Sequence, residues 1–136
     1  MKIIKIQIII YLMSNVLFGQ IKPVGIPLIK NFKKNEYKGG TQNWCIDQDK
    51  NGNVYFANTD GLLQFDGITW TKHTLPISQD IRSVKIDPSG KIFVGGYNDF
   101  GYFKPNAKGK LEYYSIAKFI KLNKPQSINQ TWKIHF

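Results

Sequence analysis

Asp47 and Asp49 stand on either side of Gln48, and two carboxylates at short range are what acid/base cleavage of a glycosidic bond requires. Asp49, however, opens Asp49-Lys50-Asn51-Gly52, and the chain repeats that run as Asp87-Pro88-Ser89-Gly90. An aspartate recurring just ahead of a turn glycine caps the turn with its own side chain, so turn architecture is expected rather than catalysis. The two histidines, His73 and His135, have no His, Cys or carboxylate at a metal-ligand spacing such as two or four residues, and His73 reads as exposed. Cys45 is the only cysteine, which excludes an internal disulfide, and no nearby histidine activates it; a buried, inert thiol is expected. Gly39-Gly40-Thr41 and Gly95-Gly96 lack the lysine and helix onset of a phosphate loop and read as close backbone packing. Trp44, Trp70 and Trp132 could each stack on the apolar face of a sugar. Trp44 and Trp132 occupy matching repeat positions, for which packing within the repeat is expected, whereas Trp70 has no counterpart. These residues therefore yield no catalytic, cofactor or metal residue, and leave the ligand-binding residues unknown.

The elements that carry these side chains follow from the repeat. Ile46, Asp49-Lys50-Asn51-Gly52, Val54-Tyr55-Phe56-Ala57 and Asp60-Gly61-Leu62-Leu63 return about 38 residues later as Val84, Asp87-Pro88-Ser89-Gly90, Ile92-Phe93-Val94-Gly95 and Phe100-Gly101-Tyr102-Phe103. A third copy begins at Gln130-Thr131-Trp132-Lys133-Ile134, matching Gln42-Asn43-Trp44-Cys45-Ile46. Units of about 40 residues, built from short strands with Asp/Asn-Gly turns, are the pattern of β-propeller blades. The first blade is read as strands at Asn43–Gln48, 53–58, 62–65 and 68–73, with Trp44, Ile46 and Gln48 on one face of the first and Cys45 and Asp47 on the other. The apolar run Val54-Tyr55-Phe56-Ala57 is expected to be buried on both sides, and Asp66-Gly67 to form a two-residue hairpin. The second blade is read at Ile81–Ile86, 91–96, 101–104 and Leu111–Ser115, with Pro105-Asn106-Ala107-Lys108-Gly109 in place of the tight turn. Ala117-Lys118-Phe119-Ile120 is expected to form a turn of helix within an insertion. The expectation is all-β: a partial propeller of two four-stranded antiparallel blades, 41–79 and 80–116, an insertion at 117–128, and the start of a third blade at 129–136.

Ahead of the blades, Lys2 and Lys5 precede an apolar stretch over residues 6–18, and Gly19 offers a small residue for cleavage, so residues 1–19 read as a secretory signal peptide. The stretch falls short of the roughly 20 apolar residues that span a bilayer. Leu17 is larger than is usual three residues before a cut, so an uncleaved anchor is the alternative. Residues 20–40, with Pro23, Gly25 and Pro27, read as an extended lead-in without a long helix. The rest of the chain is too short for the four or more blades of a closed ring, and it reads as the front end of a longer protein, a truncated frame or a gene fragment. The formal charge of +10 comes from scattered lysines, with Arg82 the only arginine, so the chain reads as a lysine-rich solvated surface and not a nucleic-acid binder.

The run Gly52-x-Val54-Tyr55-Phe56-Ala57-Asn58-x-Asp60-Gly61-Leu62-Leu63-x-Phe65-Asp66-Gly67-x-x-Trp70 resembles the two-component regulator propeller repeat. Tyr37-x-Gly39-Gly40-Thr41-Gln42-Asn43-Trp44 and Gly95-Gly96-Tyr97-Asn98-Asp99-Phe100-Gly101-Tyr102-Phe103 are similar to the opening blades of its large bacterial sensors. The resemblance implies the periplasmic N-terminal region of a sensor whose later parts are a tyrosine-rich immunoglobulin-like domain, a transmembrane helix and a kinase or helix-turn-helix output. It implies a small-molecule or oligosaccharide ligand, anchoring to the inner membrane only through that downstream region, and leaves room for a dimer of the full-length sensor. Neither cofactor nor enzymatic activity is expected of these residues. The alternatives are a surface adhesion or structural repeat protein and, behind it, a fragment of a propeller lyase or glycosidase.

Overall fold

The computed structural model describes Gln7, Gly25 and residues 27–76, 80–120 and 128–136. Apart from Gln7, the expected signal peptide lies outside the described residues, as does most of the insertion. The chain divides into two units, Met1–Asn31 and Phe32–Phe136. In the first, residues 27–31 carry no regular secondary structure. No helix among the described residues is long and apolar enough to cross a membrane.

The second unit is all-β. After a single helical turn, α1 (Lys34–Tyr37), come β1 (Asn43–Gln48), β2 (Val54–Asn58), β3 (Gly61–Phe65) and β4 (Trp70–His73). They are followed by β5 (Ile81–Ile86), β6 (Ile92–Gly96), β7 (Phe100–Pro105), β8 (Leu111–Ser115) and a 3₁₀ turn at Ala117–Phe119. Each set of four forms one antiparallel meander, β1-β2-β3-β4 and β5-β6-β7-β8. These are the two propeller blades. The helical turn α1 departs from the extended lead-in expected at 20–40. It closes locally, because the Lys33 N–H donates to Glu36 Oε2 at 2.6 Å and Lys38 ends it with a φ of 53°.

Both inner hairpins turn on the same device. Asp49 Oδ1 accepts the N–H groups of Asn51 and Asn53, each at 2.9 Å, and the Gly52 N–H donates to the Asp49 carbonyl. In the second blade Asp87 Oδ1 accepts the Lys91 N–H at 2.9 Å and the Gly90 N–H donates to the Asp87 carbonyl. Gly52 and Gly90 have φ of 88° and 83°, so the two turns are equivalent in backbone as well as in sequence. Asn106 builds a third copy between β7 and β8, accepting from the Lys108 and Lys110 N–H groups.

The outer hairpin of the first blade differs from the expected Asp66-Gly67 centre. Phe65 pairs with Trp70, and the Asp66 N–H donates to the Thr69 carbonyl, so Gly67 and Ile68 are the central residues. Gly67 has a φ of 97°, a backbone conformation that favours glycine. Asp66 is displaced from the centre because its Oδ1 accepts the N–H groups of Ile68 and Thr69.

The core lies between the two blades. Tyr55, Ala57 and Leu62 of the first pack with Ile81, Val84, Ile92, Val94 and Phe103 of the second and with Leu75 of the connection. Burial of β2 is therefore concentrated on one side: Tyr55 and Ala57 are buried, whereas Val54 and Phe56 are only half-buried. On the opposite face, Trp70 stacks on Phe65 at 4.7 Å and meets Phe32 at 5.2 Å, Phe56 at 5.3 Å and Tyr37 at 5.9 Å. The lead-in from Phe32 onward thus covers the outer half of that face, while Ile46 on the inner half stays 60% exposed.

Candidate functional site

The carboxylates flanking Gln48 do not converge on a common point. Asp49 is consumed by its turn, its Oδ2 also accepting from Asn53 Nδ2 at 2.8 Å and the Tyr55 hydroxyl at 3.3 Å. Burial first, and Asp49 second, push the Tyr55 hydroxyl up to about 12. Asp47 faces the other blade. Its Oδ2 accepts the Ile86 N–H at 2.9 Å and lies 3.0 Å from Lys85 Nζ, and its Oδ1 accepts the Gln48 N–H. Burial works against ionisation here, but these donors outweigh it and hold the carboxyl below its ordinary value. Asp47 is an inter-blade clamp. Because its folded pKa is depressed, its stabilisation is present above the unfolded value of about 4 and is lost as pH falls through the folded value. Asp47→Asn is therefore expected to flatten the acid limb of a plot of denaturation midpoint against pH, as measured by circular dichroism; an unchanged acid limb would remove Asp47 from the interface.

Cys45 is half-buried and not sealed in the core, its thiol donating to the Val84 carbonyl at 3.5 Å across the same interface. His73 is not exposed as expected: its ring hydrogen-bonds to Gln64 Oε1 at 2.9 Å and packs toward Phe103 at 6.2 Å, because β4 turns this face toward the second blade. Burial, and then Lys110, lower its pKa and favour the neutral ring. His135 is exposed. The paired glycines do serve close packing. A Cβ on Gly39 would stand 2.8 Å from Leu63, and one on Gly95 within 2.6 Å of Thr131 and Ser83. No cluster of three or more metal-ligating side chains occurs among the described residues.

A groove of about 620 Å³ runs between the two inner turns, lined by Asp49, Asp87, Tyr55, Ile86 and Leu111 among others. Its carboxylates are engaged by their own turns, Asp49 by four donors and Asp87 by the Lys91 N–H and, at 2.7 Å, the Ser89 hydroxyl, which makes this groove the weaker candidate. The stronger candidate lies at the opposite end of the inner strands.

There the β1–β2 pairing shifts register between Asn43 and Cys45, and β5–β6 shifts between Ile81 and Ser83. Trp44 and Arg82 are the extra residues. A bulge re-aims its side chain away from the regular pleat, and the same bulge recurs at the same repeat position in both blades. The third copy is brought alongside by the Tyr97–Gln130 bridge, with the Thr131 N–H donating to the Gly96 carbonyl at 3.0 Å and the Ser83 hydroxyl to the Thr131 carbonyl at 2.9 Å. Trp132 follows directly. The Arg82 guanidinium carbon lies 3.9 Å from the Trp44 ring centroid and 5.1 Å from that of Trp132, and the two indoles meet edge-to-face at 5.8 Å. Asp80 forms an ion pair with Arg82.

Packing of Trp44 and Trp132 within their own repeats is thus replaced by packing between repeats, with 40% and 56% of the two residues left exposed. The physical reason is the bulge, which turns the side chain out of its own sheet. Trp70, by contrast, belongs to the aromatic cluster under the lead-in. Arg82 and Asp80 were not singled out as site residues by sequence reasoning. The signal was present, since the spacing that relates Asp49 to Asp87 also relates Trp44 to Arg82.

Together these features define the second unit as an all-β partial propeller with one residue from each of three repeats gathered at a single point. No protein-family model matches the chain, and no curated protein matches it.

Proposed function

We propose that the chain is the N-terminal part of a periplasmic ligand-sensing propeller belonging to a bacterial two-component or transcriptional regulator, responding to glycan-derived or other extracellular signals. The observation that carries this reading is the convergence of Trp44, Arg82 and Trp132, from three successive repeats, into a half-exposed cluster. Loops and strand ends at one end of a blade array are where such folds place recognition surfaces, while the blades beneath hold them rigid. The sequence resemblance to propeller sensors points the same way. A catalytic reading finds less support, because Asp47, Asp49 and Asp87 are all engaged in turns or the blade interface.

The test is a thermal-shift screen of the full chain, expressed with its own N-terminal segment, against digests of extracellular polysaccharides. One saccharide class should raise Tm without release of new reducing ends. Turnover of the saccharide would replace the sensor reading with an enzymatic one, and a shift with none of the digests would count against ligand sensing by this part.

A further inference from the structure

The cluster's own chemistry narrows what it takes, on the reading that this chain senses a ligand. Trp44 and Trp132 keep much of their surface open while the guanidinium wedged against both rings restrains them. Two indoles held in place present flat apolar surface with little side-chain entropy left to lose on binding. Arg82 is not a free cation. It is paired with Asp80, and the two side chains are only 14% and 21% exposed. An anionic ligand would have to compete with Asp80 for the guanidinium, and a cationic one would meet a guanidinium already lying over the same rings. A neutral ring with an apolar face and neighbouring hydroxyls meets neither penalty. Its C–H face lies on an indole, its hydroxyl oxygens accept from the guanidinium N–H groups, and its hydroxyl protons are donated to the Asp80 carboxylate. The Nε–H of Arg82 is buried and has no hydrogen-bond partner among the described residues.

We propose that Trp44, Asp80, Arg82 and Trp132 form a subsite for one neutral pyranose ring, selecting against uronates and sulfated sugars. The ion pair sets that selection, because it supplies donors and acceptors together with no net charge.

Intrinsic tryptophan fluorescence of the full chain, titrated with xylohexaose, cellohexaose, laminarihexaose and mannohexaose beside trigalacturonate and a heparin hexasaccharide, tests it. One of the neutral hexasaccharides should shift the emission, and the two acidic probes should not. Trp44→Ala and Trp132→Ala should each weaken that binding about tenfold, with circular dichroism confirming the fold. Arg82→Lys, which keeps the charge but loses the planar fork, should weaken it too, while Trp70→Phe should not. Neutral binding undiminished in both alanine variants would overturn this subsite and leave ligand sensing standing. Tighter binding of an acidic probe would overturn the proposed selection, and silence with every probe would overturn the subsite while the sensor reading stands or falls on the thermal-shift screen.

Discussion

Replacing Asn58 with alanine is expected to cost about 3–5 kcal/mol, more than any truncation of an apolar residue at the rim of the blade interface. Asn58 is fully buried at 0% exposure, at the end of β2. Its Oδ1 accepts the Gly40 N–H at 2.7 Å and the Asp60 N–H at 2.9 Å. Its Nδ2 donates among the Gly40 carbonyl, the Gln42 carbonyl and Asn43 Oδ1, at 2.9, 3.0 and 2.7 Å. One side chain thus satisfies the backbone of the segment that enters β1 and of the turn that leaves β2. Alanine leaves the N–H and the carbonyl of buried Gly40 without the Asn58 amide that pairs them. Urea denaturation should show the midpoint falling with little change in slope. A loss below about 1 kcal/mol would mean that water or backbone movement replaces the hub.

Gly95→Ala is expected to have the second large effect, and to act on the site as well as on stability. A Cβ there would stand 2.5 Å from Thr131 Cγ2 and 2.6 Å from Ser83 Oγ. Ser83 is fixed in β5, so the segment carrying Thr131 must give way, breaking its bonds to Gly96 and Ser83. Overpacking of this kind costs about 1–3 kcal/mol. Trp132 leaves Arg82 along with it, and its emission should move to the red. Gly109→Ala is the control: among the described residues, and leaving aside its chain neighbours, no atom lies within 4 Å of its Cβ position, so its cost is the strain of a side chain at a φ of 78°, about 1 kcal/mol. Equal effects from the two substitutions would mean that the third repeat does not dock at Gly95.

Much of the fold was legible because the repeat states it twice. Asp49 and Asp87 with Gly52 and Gly90 mark equivalent turns, and the alternation of β1 puts Cys45 and Asp47 on the face that meets the second blade. Three features were not legible, for three physical reasons. The hairpin centre moved by one residue because the Asp66 side chain, invisible to a turn-propensity argument, caps two N–H groups. His73 lost its expected exposure because half-burial comes from a partner distant in sequence, Phe103. The site was hidden because a bulge breaks the two-residue alternation from which side-chain direction is read. Trp44 therefore follows the cluster rather than the pleat.

The convergence of three repeats on one point is tested most directly by nuclear Overhauser spectroscopy of the chain. Indole protons of Trp44 and Trp132, on rings with centroids 5.8 Å apart, should give cross-peaks, and the Arg82 side-chain protons should be shifted upfield by ring currents that fall away in Trp44→Ala. Absence of those cross-peaks, with Arg82 at the shifts of an exposed arginine, would contradict it.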